Sequence, residues 1–248
     1  MSLIEALLLI GAGLFAGFIN TIAGGGSLLT MPLLIFMGLG SAEANASNRV
    51  AIFMQNIFSV AGFKSKGVSV FPFAIWMAIP ACIGAILGSS IAVEINDQVF
   101  NRILAIIMLL VMAITIFKPK LNKLPEELFT PKRTWIGAIV FFFVGIYGGF
   151  IQAGVGFFII ASLIGIFGLN MAKTNSIKVF VALCYTAIAL VIFYLNGKIL
   201  WAYGLTLAVG NATGAWIASR WSVSKSDRLI RMILLVMVLG LSIKLWFF

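Results

Sequence analysis

The sequence predicts an all-α protein that crosses a membrane many times and is built from two inverted halves. Three observations carry that expectation. Of the 248 residues, 62% are hydrophobic and 10% charged, against roughly half and a quarter in soluble domains. Several apolar runs approach the roughly 20 residues needed to cross a bilayer. A polar cluster of glycines also occurs twice. Gly17-Phe18-Ile19-Asn20-Thr21-Ile22-Ala23-Gly24-Gly25-Gly26-Ser27 is answered by Gly149-Phe150-Ile151-Gln152-Ala153-Gly154-Val155-Gly156, with Asn20 opposite Gln152 at an offset of 132.

In order, the apolar runs are 3–22, 27–38, 43–63, 70–92 and 99–117, then 135–153, 157–168, 172–195, 199–219 and 228–247. The start, Met1-Ser2-Leu3-Ile4-Glu5, lacks the basic stretch of a cleaved leader, so 3–22 reads as a retained segment. A polar linker, 118–134, separates a first membrane repeat, 1–117, from a second, 135–248. Further pairs support duplication: Arg49 with Lys178 (offset 129), then Gly67 with Gly197, Gly84-Ala85 with Gly214-Ala215, and Asp97 with Asp227 (offset 130).

Runs 27–38 and 157–168 have 12 residues each, about 18 Å of helix and too short to span alone. If each continues the run before it, the chain has eight full transmembrane helices in a 4+4 arrangement. The basic residues then split nine to eight between the two faces, which sets no orientation. If each glycine turn reverses the chain, every half has five segments, including a short re-entrant helix. One face then collects thirteen basic residues: Lys64, Lys66, Lys118, Lys120, Lys123, Lys132, Arg133, Lys173, Lys178, Arg220, Lys225, Arg228 and Arg231. The other keeps Arg49, Arg102, Lys198 and Lys244. The asymmetric split fits the excess of Lys and Arg on cytoplasmic faces, so the five-segment reading is preferred. It makes the linker cytoplasmic and places both termini outside.

In lipid, a glycine-broken polar segment survives only if buried in protein or lining a wet cavity. Paired interruptions of this kind point to a binding site near mid-membrane. Short helices starting near Ser27 and Phe157 offer free N–H groups and a positive dipole end, suited to an anion. Gly24, Gly25, Gly26, Gly154 and Gly156 let backbone approach a ligand, and Asn20, Thr21, Ser27 and Gln152 add hydrogen-bond donors. The competing reading is that the glycines serve tight helix packing. Arg49 and Lys178 are costly inside a membrane and candidates for neutralising an oxyanion or gating its access. Snorkelling to the interface is the alternative. Asn48, Gln55, Asn56, Tyr147, Thr174, Asn175, Ser176 and Tyr185 are candidate pathway residues.

The net charge of +10 falls in short gaps between apolar runs, a topology signal and not a nucleic-acid face. There is no His, and Cys82 and Cys184 sit alone in apolar segments. No metal site and no cofactor are expected. The acids lie near segment ends or in the linker, so no proton-carrier chain is expected within the membrane. No nucleophile–base pair or phosphate-binding loop occurs, and enzyme activity is not expected. The partners expected are a small anion and the lipid bilayer, with aromatic-rich outer faces that suit a homodimer as well as lipid.

At the glycine turns and beyond, the chain resembles the sulfite exporter TauE/SafE family of membrane permeases. The matching residues are Asn20 through Ser27 with Pro32, Ser47-Asn48-Arg49, Tyr147-Gly148-Gly149-Phe150 with Gly154 and Gly156, Lys178, and Asn196-Gly197-Lys198. The resemblance runs through both halves. It implies export of a small sulfur-containing anion, such as sulfite, sulfoacetate or a related organosulfonate, across a bacterial cytoplasmic membrane. Many members carry Gly-Pro where this chain has Gln152-Ala153, a larger side chain that reshapes the pocket. A permease for a carboxylate, or a membrane scaffold without flux, are the rival readings.

Overall fold

The computed structural model describes residues 1–68, 70–117 (backbone only over 111–117) and 127–221. Over these the chain is helical, with no strand among the described residues: α1 Leu3–Ile22, α2 Ser27–Phe36, α3 Ser41–Ser65, α4 Phe73–Glu94, α5 Asp97–Phe117, α6 Pro131–Phe150, α7 Val155–Phe167, α8 Met171–Leu195 and α9 Trp201–Trp221. The expected run 228–247, Asp227 and the linker residues 118–126 lie outside the described residues.

Local chemistry sets the boundaries. Ser2 and Glu5 close a reciprocal cap on α1, satisfying N–H groups the helix cannot. Asn170 caps α8 through the Lys173 amide. Thr130 caps α6, whose first position is Pro131, a residue that needs no N–H partner there. Residues 131–134, assigned to the linker from sequence, are therefore the first turn of α6.

α1, α4, α6 and α8 are long and apolar enough to cross a membrane. The radial distribution agrees. Leu3, Leu7, Trp76, Ile83, Trp135 and Phe143 are exposed, whereas Asn45, Asn48, Arg49, Gln55, Asn56 and Ser59 of α3 are buried. Apolar outside and polar inside is the arrangement of a helix bundle in lipid, where an exposed polar group would lack a partner. The chain is a multi-pass membrane protein.

Each short helix turns back along its predecessor. Gly26 packs against Ala16 and Asn20 of α1, and Thr30 of α2 reaches Asn48 of α3. In the second half Arg133, in the first turn of α6, donates to Ile166 O near the end of α7. Helix directions follow from such contacts. Gly13 and Gly17 of α1 meet Leu207 and Asn211 of α9, while Gly204 and Gly62 place Ser47–Val50 and the end of α3 along the same helix. So α1, α3 and α9 run one way. Gly84 and Gly88 of α4 meet Phe142 and Ile146 of α6, so these two run together. The ends of α4 and α8, at Ala92 and Phe193, cluster with Ala46 near the start of α3. Lys178 near the start of α8 bonds Asn20, which reaches Gln55 further along α3, so α4, α6 and α8 run against the first group. Glycine is required where backbones touch: a Cβ on Gly149 would stand 2.5 Å from Ala85 O, and one on Gly13 2.7 Å from Leu207 O. Such small-residue seams bring membrane helices close.

The halves correspond at an offset of 128 along α1 and α6, and of 130 along α3 and α8. Gly24 and Gln152 are therefore equivalent. Both have positive φ (89° and 64°), and both donate their N–H to the carbonyl five residues back, Ile19 and Tyr147. This corrects the sequence pairing of Asn20 with Gln152 by one helical turn; Asn20 is answered by Gly148. The pairing of Gly84 with Gly214 holds, since they face Phe142/Ile146 and Leu14/Phe18 respectively.

Candidate functional site: a cavity between two broken helices

α1 ends at Ile22 and α6 at Phe150, and the four residues after each lead into α2 and α7. The two turns touch: a Cβ on Gly24 would stand 2.5 Å from Gly156 Cα. Beside this contact lies a cavity of about 20 Å³, room for a single water. Its walls come from both halves, with Asn20, Ser27, Gln55 and Asn56 from the first and Gln152, Gly156, Lys178 and Tyr185 from the second. The N-termini of α2 and α7, neither capped by a side chain, both abut it through Ser27 and Gly156, bringing two positive dipole ends there.

Arg49 and Lys178 are 0% and 3% exposed, so neither snorkels to an interface. Each instead caps the broken helix of the other half. Lys178 Nζ donates to Asn20 O (2.9 Å), Thr21 O (2.8 Å) and Asn175 Oδ1 (2.9 Å). Arg49 donates to Gly148 O (3.0 Å), Gly149 O and Gln152 Oε1 (2.9 Å), and lies 5.0 Å from the Phe193 ring centre. At the offset of 128 these carbonyl pairs are equivalent. A cation at a helix C-terminus opposes the negative end of its dipole. The two also differ in position: Lys178 lines the cavity and Arg49 does not.

Hydrogen bonds orient the remaining wall. Gln55 Oε1 accepts from Asn20 Nδ2 (3.1 Å) and Asn211 Nδ2 (3.3 Å). Gln152 Nε2 donates to Thr186 Oγ1 (3.0 Å). The Tyr185 hydroxyl and Asn56 Nδ2 are buried without a partner. Among the other candidates, Thr21 bonds Ser59 (2.9 Å), Asn48 accepts from Thr30 (2.7 Å), and Thr174 donates to Leu169 O (3.5 Å). Tyr147 donates to Ala153 O. Asn48, Tyr147, Thr174 and Ser176 do not line the cavity. Gly25 is buried in the first turn, Gly154 holds φ 74° at the α7 cap, and Gly26 serves the packing of α2 on α1. Sequence reasoning missed Asn211, Ser59 and Thr186. A lone amide or hydroxyl inside an apolar run was the available signal.

The family model of the sulfite exporter TauE/SafE matches residues 9–245. The chain belongs to the TauE/SafE family. It is 29% identical to the "Probable membrane transporter protein YfcA" of Escherichia coli (strain K12), covering 94% of this chain and 86% of that protein. It is 27% identical to a "Probable membrane transporter protein" of Haemophilus influenzae, over 94% and 91% of the two chains. A third relative, the "Probable membrane transporter protein ORF9" of Sinorhizobium sp, is 24% identical over 94% of this chain and 89% of its own length. No solved structure matches the chain. As a TauE/SafE member it is a membrane transporter, and the cavity between its turns is the candidate substrate site.

Proposed function

We propose that the protein is a permease of the bacterial cytoplasmic membrane that exports a small sulfur-containing anion by alternating access around the central cavity. One observation carries this reading: the two buried side-chain groups that line the cavity without a partner, the Tyr185 hydroxyl and the Asn56 amide N–H₂, can both donate. Gln55, with its oxygen accepting twice, has its N–H₂ to offer. The α2 and α7 N-termini and the Lys178 ammonium supply positive potential. An oxyanion accepts hydrogen bonds on every side and complements such a wall, whereas a cation leaves buried donors unmet.

Lys178 supplies the counter-charge in this reading, with Asn20, Ser27, Gln55, Gly156 and Tyr185 around the ligand. Thr21, Gly24, Gly25 and Gly154 shape the turns, and Arg49 with Gln152 holds α6. The cavity admits one water and no sulfur oxyanion, so transport requires the turns to part. The linker faces the cytoplasm and both termini face outward, in keeping with the basic residues.

The test is thermal stabilisation of the detergent-purified protein, with flux into liposomes, across sulfite, sulfate, thiosulfate, sulfoacetate, taurine, acetate and lactate. A ligand that binds only the folded state raises the melting temperature. The expected result is stabilisation and flux with sulfur oxyanions, both lost in Lys178→Ala. A response to carboxylates alone keeps the permease and discards the sulfur assignment; no flux under any gradient refutes transport.

A further inference from the structure

Of the polar residues missed in the sequence, Ser59 and Asn211 lie on one side of the bundle, whereas Thr186 holds Gln152 on α8. Between α1, α3 and α9 runs a buried column: Asn20, Gln55 and Asn211 joined through Gln55 Oε1, then Thr21 bonded to Ser59, then Ser219 packed into the space left by Gly62. Thr21, Ser59 and Ser219 are fully buried, and Asn211 Oδ1 is buried with no partner. The column starts at the cavity, where Asn20 and Gln55 form its wall. It heads toward the end of the bundle that carries Lys64, Lys66 and Arg220, all exposed. The Arg220 stem there comes 3.7 Å from the position of a Gly62 Cβ.

The corresponding positions between α6, α8 and α4 read differently. At the offsets of 128 and 130, Asn20 becomes Gly148, Gln55 becomes Tyr185, Asn211 becomes Ala81, Thr21 becomes Gly149, Ser59 becomes Ala189 and Gly62 becomes Ile192. Ser219 alone keeps its chemistry, as Ser89. Tyr185 packs its ring on Gly148 where the first half has an Asn–Gln hydrogen bond. Two routes related by the repeat thus lead away from one cavity, one lined by hydroxyls and amides, the other carrying small and apolar side chains at the matching positions and crossed by the Arg49 guanidinium, which bonds Gly148 O and Gly149 O.

We infer that the α1/α3/α9 column is the hydrated route by which the anion moves between the cavity and the basic end of the bundle, and that its counterpart, where Arg49 holds Gly148 O and Gly149 O and the side chains beyond are Ala189 and Ile192, is the closed gate. The inference rests on the permease reading. Hydroxyls and amides that bond one another can exchange those bonds for water or for the oxygens of a passing anion, whereas an apolar constriction excludes both by dewetting. Polar groups inside a membrane bundle that served only as glue between helices would give the same column no access to solvent, and this difference is measurable.

The probe is the anionic, membrane-impermeant thiol reagent 2-sulfonatoethyl methanethiosulfonate, applied to either face of membrane vesicles. Single cysteines Ser59→Cys and Ala189→Cys are compared in a Cys82→Ala, Cys184→Ala background whose flux equals wild type. Ser59→Cys is expected to react about tenfold faster than Ala189→Cys or more, from the face bearing Lys64 and Lys66, and its modification to stop flux. Thr21→Cys replaces it as reporter if Ser59→Cys does not reach the membrane. Ala189→Cys reacting as fast, or both column cysteines staying unreactive, overturns the inference. Asymmetric labelling in a protein whose wild type carries no anion flux overturns the permease reading instead.

Discussion

Tyr185→Phe separates a binding role from a structural one, because the two predict opposite signs. Tyr185 is 0% exposed, its ring packs on Gly148, and its hydroxyl faces the cavity wall with no partner. A buried polar group without a partner costs about 1–3 kcal/mol, so deleting the oxygen while keeping the ring leaves stability unchanged or raises it. At about 2–4 °C per kcal/mol for a chain of this size, the melting temperature should hold or rise by a few degrees. The same hydroxyl is placed to donate to an anion, and a hydrogen bond to a charged acceptor contributes about 1.5–3 kcal/mol. Anion affinity should therefore fall about tenfold or more. The assay is a melting curve of the purified protein titrated with sulfite and sulfoacetate, with flux in liposomes alongside. A lower melting temperature with an unchanged anion response refutes the assignment and makes Tyr185 a packing residue.

Two further substitutions probe the frame. Arg49→Lys keeps the charge but replaces a fork by a single ammonium, which cannot reproduce the bonds to Gly148 O, Gly149 O and Gln152 Oε1. Loss of one charged hydrogen bond should cost about 1.5–3 kcal/mol of stability, with anion affinity of the folded protein unchanged; reduced affinity at an unaltered melting temperature would contradict the off-cavity placement. Gly156→Ala forces a Cβ against Gly24 backbone, where ordinary contact begins at 3.4 Å, and should destabilise by about 1–3 kcal/mol and abolish flux. Gly165→Ala, on the same helix with nothing within 4 Å of the new methyl, is the control and should melt at or slightly above wild type.

The broken helices were legible in the sequence because lipid tolerates a polar glycine cluster between apolar runs only where protein or a cavity surrounds it. The register between the halves was not. Glycines recur every fourth residue at Gly13 and Gly17, and again at Gly145 and Gly149, so sliding one half by a turn still lays glycine on glycine. The literal match of Gly17-Phe18-Ile19 to Gly149-Phe150-Ile151 then selects the wrong turn. Backbone hydrogen bonds fix the register, pairing Gly24 with Gln152. Arg49 and Lys178 were legible as unusual residues, but two of the acceptors of each are main-chain carbonyls, which carry no side-chain signature. The one-sided column was invisible for a related reason. Ser59, Thr21 and Asn211 come from three separate helices and acquire meaning only when those helices meet.

The exchange of caps gives the two halves unequal duties. Each broken helix is held by a cation from the opposite half, so parting the turns strains both caps. The caps are not alike. A guanidinium grips through a fixed planar fork, and Arg49 uses it on α6 away from the cavity. An ammonium has three rotatable donors, and Lys178 directs them to Asn20 O, Thr21 O and Asn175 Oδ1 while standing at the cavity wall. A bound oxyanion can replace one of those acceptors with little change in geometry, loosening the α1 end and not the α6 end. Lys178→Arg is the test, since it keeps the charge and removes that freedom. The melting temperature should hold or rise, anion binding should persist, and flux should slow by about tenfold as the α1 cap becomes a clamp. Wild-type flux in this variant would show that release of the lysine cap is not part of the transport step.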